Sequence, residues 1–92
     1  MTDYKLIPSK IFLKDLAKLP SDIRPKVKKE LLALKKDPHG VRNIKKLTNV
    51  DAGAYRLRIG DFRLRYDVSG DDIELHIIRH RKDVYRKNRG HK

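Results

Sequence analysis

Four arginines alternate with apolar residues in one short stretch. Arg56 and Arg58 lie in Tyr55-Arg56-Leu57-Arg58-Ile59, and Arg63 and Arg65 in Phe62-Arg63-Leu64-Arg65-Tyr66. A guanidinium offers paired, coplanar N–H donors that match phosphate oxygens, and it stays charged at any working pH. Four of them on one face would hold a polyanion, or stabilise charge as it builds on a phosphate. The bland alternative is a solvated strand face that uses arginine. A second cluster runs Arg79-His80-Arg81-Lys82-Asp83-Val84-Tyr85. An imidazole titrates near neutrality and can give or take a proton. A phenol ordinarily ionises near about pH 10, and neighbouring cations favour its phenolate. The alternatives there are a surface histidine and an aromatic that packs the tail onto the core.

The elements that must position these groups follow from periodicity and punctuation. Tyr4 to Ile7 reads as a strand closed by Pro8. Ser9 is placed to cap a helix over Lys10–Leu19, with Phe12, Leu13, Leu16, Ala17 and Leu19 as its apolar stripe. Ser21 is the expected cap of a second helix, with Pro25 in its first turn and Val27, Leu31 and Leu34 facing inward. Asp37-Pro38-His39-Gly40 ends it. Val41 to Gly53 reads as a basic loop carrying Lys45 and Lys46. Alternation then predicts strands over Ala54–Ile59, Phe62–Val68 and Asp72–Ile78. Gly60-Asp61 makes a two-residue hairpin turn. That turn fixes the register: Ile59 opposite Phe62, Arg58 opposite Arg63, Leu57 opposite Leu64, and Arg56 opposite Arg65. Like charges directly opposed cost up to about 1 kcal/mol per pair, so stability alone disfavours this arrangement. Simple alternation puts His76 and His80 on one face of the third strand and Arg79 and Arg81 on the other, unless a bulge intervenes. The expected fold is α+β: an N-terminal helical hairpin on one face of a small, mostly antiparallel sheet. The arginine face is then open, or the floor of a groove.

The chain has 92 residues, which allows one domain over 1–92, with a flexible tail expected at 86–92. It has no cysteine, which removes disulfides and cysteine-based zinc sites, and His39, His76 and His91 show no metal-ligand spacing. No metal or other cofactor is expected. Apolar runs reach four residues, so no membrane span is expected and the cytoplasm is the expected compartment. Lys and Arg total 24 against 12 Asp and Glu, a formal charge of +12. Such a charge strains the compact state, and a polyanion relieves it. From Arg79 to Lys92 there are seven cations and one acid, Asp83, so the charge is localised as a docking surface would need.

Taken in order, Leu16-Ala17-Lys18-Leu19-Pro20, Asp37-Pro38, Lys46-Leu47, the Tyr55 to Tyr66 motif and His80-Arg81-Lys82-Asp83-Val84-Tyr85 resemble the RelE/ParE toxin superfamily, and its RelE branch most. The resemblance implies a metal-independent endoribonuclease that cuts messenger RNA in the ribosomal A site. There the ribose 2′-OH attacks its own phosphate. It also implies contacts with ribosomal RNA and an antitoxin that wraps the toxin in a hetero-oligomer. Matched by position, Arg56 and Arg58 stand where RelE has lysines that bind RNA and move protons. Arginine stays protonated, so charge stabilisation is the role for Arg58. Arg63 corresponds to the arginine that steadies the phosphate, and Tyr85 to the tyrosine at the attacked nucleotide. The late arginine is Arg81 if His80-Arg81 is aligned with the family motif, and Arg79 by an ungapped count from Tyr85. Some relatives use a histidine here, which adds His80. Arg65, Lys45, Lys46 and Lys82 complete the expected RNA contacts. The rival readings are a ParE-like inhibitor of DNA gyrase without nuclease chemistry, and a non-catalytic nucleic-acid-binding module.

Overall fold

A computed structural model describes residues 3–40, 44–47 and 53–83. Along the chain run β1 (Lys5–Pro8), α1 (Lys10–Ala17), α2 (Arg24–Lys36), β2 (Ile44–Lys46), β3 (Tyr55–Ile59), β4 (Phe62–Ser69) and β5 (Asp72–His80). Residues 81–83 form one helical turn. The strands make a single sheet in the order β1-β5-β4-β3-β2. β1 pairs parallel with β5, and every other pairing is antiparallel. The expected tail at 86–92 lies outside the described residues.

The β3–β4 hairpin has the register that a two-residue turn dictates, with Arg58 opposite Arg63 and Arg56 opposite Arg65. Gly60 takes φ +59° in that turn. A Cβ there would meet only Ile23 Cδ1, at 3.6 Å, so backbone angle and not space calls for glycine.

Leu57, Ile59, Leu64, Tyr66, Ile73, Leu75 and Ile78 of the sheet share one core with Phe12, Leu19, Ile23, Val27 and Leu34 of the helical half. Each such side chain contributes about 1.5–3 kcal/mol by leaving water. Tyr66 is fully buried and donates its hydroxyl to Pro38 O at 2.7 Å, which ties the end of α2 to β4. Burial, with Tyr55 and Asp37 nearby, pushes its phenol well above the ordinary range, so it stays neutral.

Several expectations need correction. The Ser9 cap forms, its Oγ accepting the Phe12 N–H at 2.9 Å and donating to His76 O at 2.9 Å. α1 nevertheless ends at Ala17, and its C-terminal carbonyls are met by Arg24, which donates from Nη2 to Ala17 O at 2.8 Å and from Nε to Leu19 O at 3.3 Å. Ser21 does not cap α2. That helix starts at Arg24 and is flanked by Ile23 without a side-chain cap. Ile23 is buried in the core, and that burial sets where the helix begins. Inside the supposed loop, Ile44–Lys46 pairs with Leu57–Tyr55 as β2, a strand too short to show alternation. The helices also leave Ile11, Leu13 and Leu32 about half exposed, although Leu13 was placed in the inward stripe.

β5 contains a bulge. Arg65 opposes Ile77 and Tyr66 opposes Leu75, which leaves His76 as the extra residue. The bulge separates the two histidines that simple alternation had put together. His76 bonds Asp67 on the outer face, while His80 lies opposite Phe62 and meets its ring edge-on at 5.5 Å.

Candidate nucleic-acid interface

The strand registers turn scattered cations into a grid. Across β3, β4 and β5, Arg58 opposes Arg63 and Arg63 opposes Arg79. One step along, Lys45 opposes Arg56 and Arg56 opposes Arg65 across β2, β3 and β4. By strand register these are two rows of three on the face turned away from the helical core, although the Arg79 guanidinium turns back to Asp15 of α1. Neighbours within a row stand on strands about 4.8 Å apart, and the rows are separated by two residues of rise, about 6.7 Å. Sequence alternation placed four of these six on one face, and pairing with β2 and β5 adds Lys45 and Arg79.

The cations are held differently. Arg63 is 8% exposed and donates from Nη1 to Gly60 O at 2.9 Å and Phe62 O at 3.0 Å, so its guanidinium packs against the hairpin turn. Arg65 donates from Nε to Gly53 O at 2.8 Å. Gly53 has φ +70°, and a Cβ there would stand 3.0 Å from Arg65 Cβ and 3.3 Å from its Nε. Arg79 donates from Nε to Asp15 Oδ2 at 3.0 Å. Lys45, Arg56 and Arg58, with Ile44, line a shallow cavity of about 230 Å³ at the β2–β3 side. The face is therefore a graded floor, buried at Arg63 and exposed at Arg58.

An acidic margin bounds the grid. Asp67 lies opposite Glu74. Asp67 accepts the N–H groups of Gly53 and Ala54, each at 2.8 Å, and His76 Nε2 lies 2.8 Å from its Oδ2. Partial burial would raise its pKa, yet the two backbone N–H groups and His76 outweigh that and hold it below the usual carboxylate range. Ligand atoms of Asp67, Glu74 and His76 come within 4.8 Å of one another, the spacing a divalent cation needs. Both Asp67 oxygens already receive N–H donors, so Asp67, backed by His76, reads as a clasp on the two residues before β3.

The C-terminal candidates divide. His80 borders a cavity of about 490 Å³ together with Asp15, Lys18, Phe62 and Arg79, off the face that carries Arg58 and Arg63. Its Nδ1 accepts the Lys82 N–H at 3.3 Å. Arg81 and Lys82 are exposed, and the Arg81 N–H donates to Asp61 O at 2.8 Å. Lys46 opposes Tyr55 on the inner row, its Nζ 5.9 Å from the ring centroid. Tyr85 lies outside the described residues. Asp15 was missed by sequence reasoning, although an acid between Phe12 and Leu19 at spacings of three and four was a signal.

Residues 6–85 match the sequence model of the ParE toxin of type II toxin-antitoxin system, parDE. The chain belongs to this family. Within the wider RelE/ParE superfamily it is 33% identical over 90 residues to Toxin RelE3 of Methanocaldococcus jannaschii, covering 88% of this chain and 94% of that one. Among solved structures, the RelB–RelE antitoxin–toxin complex from Methanococcus jannaschii superposes with a TM-score of 0.75 at 29% identity. That match covers 88% of this chain and 96% of the other. The archaeal RelE–RelB complex from Pyrococcus horikoshii gives 0.73 at 26% identity, covering 88% and 97%. The five-stranded α+β architecture is thus that of RelE toxins.

Proposed function

We propose that this protein is the toxin of a type II toxin-antitoxin pair and acts as an endoribonuclease on messenger RNA in the ribosomal A site. The observation that carries this reading is the grid of six cations on one sheet face. Breakage of an RNA link needs no outside nucleophile. The ribose 2′-oxygen forms a bond to its own phosphorus, the bond to the leaving 5′-oxygen breaks, and a 2′,3′-cyclic phosphate and a 5′-hydroxyl result. One proton leaves the 2′-OH and one reaches the 5′-oxygen. The row Arg58–Arg63–Arg79 meets the charge that builds on the phosphorane. Arg63, fixed against the turn, supplies the preorganised part. Lys45, Arg56 and Arg65 hold the neighbouring backbone. Arg81 and Lys82 extend this surface past the end of β5. Tyr85 is the proposed proton acceptor. His80, set to the side of the row, is the weaker choice.

The partner is an acidic or amphipathic antitoxin segment, forming a hetero-oligomer in the cytoplasm. Relatives of this fold are seen as RelB–RelE complexes. The half-exposed Leu13, with Leu16, Val27 and Leu31, lines an apolar groove of about 430 Å³ between α1 and α2, and Arg24 and Lys28 stand at its rim. These helices form the hairpin that presents the groove.

Primer extension on messenger RNA after induction tests the nuclease. Wild type should give discrete new 5′ ends within codons, and Arg58→Ala should lose them. The match to the ParE family keeps a gyrase inhibitor as the second reading. Growth arrest with trapped gyrase–DNA complexes and intact messenger RNA would establish it and end the nuclease reading.

A further inference from the structure

Asp15 and Arg63 are the two buried charged residues among those described, at 9% and 8% exposure. Arg63 belongs to the cation grid. Asp15 comes from the opposite end of the chain, in the middle of α1, on the same stripe as Phe12 and Leu19. Its Oδ2 accepts the backbone N–H of Ile78 at 3.2 Å and the Nε–H of Arg79 at 3.0 Å. β1 pairs with β5 only as far as Leu75, so Ile78 lies on the edge that β1 leaves uncovered.

Closing that edge does not require a charge. A neutral acceptor would satisfy one N–H, and apolar residues often replace buried ion pairs without loss of stability. What a carboxylate adds is a hold on the guanidinium. Bonded at Nε, Arg79 keeps the four N–H donors of its two terminal nitrogens, in a plane whose orientation Asp15 helps fix. Arg79 stands at the end of the row that begins with Arg58 and Arg63. Both partners line the 490 Å³ cavity, which lies off the Arg58–Arg63 face at the β5 end of the row, so a ligand that runs past that end can reach the pair.

We propose that Asp15 is a positioning residue that orients the Arg79 guanidinium toward the reacting phosphate of bound RNA. This rests on the nuclease reading above. It also assigns the late cation of the site to Arg79, with Arg81 left at the surface.

The test is a cycle of wild type, Asp15→Asn, Arg79→Ala and the double variant, with folding checked by circular dichroism. Cleavage is measured on messenger RNA in programmed ribosomes, and affinity on a single-stranded RNA blocked by 2′-O-methylation. Asp15→Asn should lower kcat by about 10- to 100-fold while changing KM little. In the Arg79→Ala background the same substitution should cost nothing further. Arg79→Lys keeps the charge but lacks Nε–H, and should lose as much as Asp15→Asn. If Asp15→Asn destabilises the fold too far to be read, Arg79→Lys decides alone. Wild-type cleavage by Arg79→Lys or Asp15→Asn overturns the proposal, as does an equal loss from Asp15→Asn with and without Arg79. If wild type binds RNA but cuts none, the nuclease reading fails by itself. The cycle is then read on affinity, where Asp15→Asn must weaken binding only when Arg79 is present. If wild type binds no RNA, both fall.

Discussion

Arg58 and Arg63 stand directly opposite one another across the β3–β4 hairpin, and Arg79 extends the same row on β5. Like charges directly opposed at Arg58 and Arg63 disfavour folding, while Asp15 offsets the charge of Arg79, and a bound anion reverses the effect. Stability and binding should therefore move in opposite directions at the exposed member. Arg58→Gln should raise the urea midpoint, corresponding to up to about 1 kcal/mol more unfolding free energy. It should also weaken RNA binding and lower the slope of log affinity against log salt by about one unit or slightly less. Urea titration and anisotropy at several salt concentrations measure both. Unchanged binding and slope would show Arg58 to be a solvated surface residue.

Arg63 should behave differently from its neighbour. Its Nη1 bonds to Gly60 O and Phe62 O hold the turn, and its side chain is buried. Arg63→Ala should abolish cleavage and also lower stability, by about 1–2 kcal/mol for the lost bonds, offset in part by relief of repulsion from Arg58 and Arg79. The variant must be assayed below its own thermal midpoint. Stability equal to wild type together with lost cleavage would assign Arg63 to the site alone.

Gly53 couples the loop to the grid. Its carbonyl accepts Arg65 Nε–H, and its φ of +70° suits glycine. Gly53→Ala places a methyl 3.0 Å from Arg65 Cβ, so the strained backbone and the crowded arginine must both give way. The expected cost is about 1–2 kcal/mol, with weaker RNA binding as Arg65 is displaced. Calorimetry and anisotropy on the same sample read the two effects. A neutral outcome in both would show that Gly53 matters to neither.

The hairpin was legible because its register depends on local quantities, the two-residue turn and strict alternation from Tyr55 to Tyr66. The rest of the site depends on which distant strands lie beside that hairpin. β2 offers three residues, Ile44-Lys45-Lys46, and no periodic signal, so Lys45 could be listed as basic but not placed in a row. Arg79 was ambiguous against Arg81 because neither the bulge at His76 nor the end of β5 can be read from alternation. Asp15 was not singled out by any motif. Its partner, Arg79, is 64 positions away, and only the packed fold brings the two together. The Ser21 cap failed for a related reason, since burial of Ile23 outweighed a local preference.

Asp67 offers a test in pH. Its carboxylate accepts the N–H groups of Gly53 and Ala54 and pairs with His76, and it is held below the usual range. A group with a lowered folded pKa stabilises the fold fully above its unfolded pKa, about 3.9 for aspartate. That contribution fades as pH falls through the unfolded value toward the folded one, because the unfolded chain takes up the proton first. Asp67→Asn should therefore cost about 1–3 kcal/mol at pH 7, the range for charge-assisted bonds to a partly buried acceptor. The gap between wild type and variant should narrow by pH 3. Urea midpoints at the two pH values give the comparison. A gap as wide at pH 3 as at pH 7 would mean that the charge on Asp67 adds nothing beyond shape. If the clasp also holds Arg65 in its row through Gly53, Asp67→Asn should weaken RNA binding at pH 7, even though it removes a negative charge that a nearby phosphate would find repulsive. Simple electrostatics predicts tighter binding instead, so the direction of that change separates a clasp from a bare acidic border.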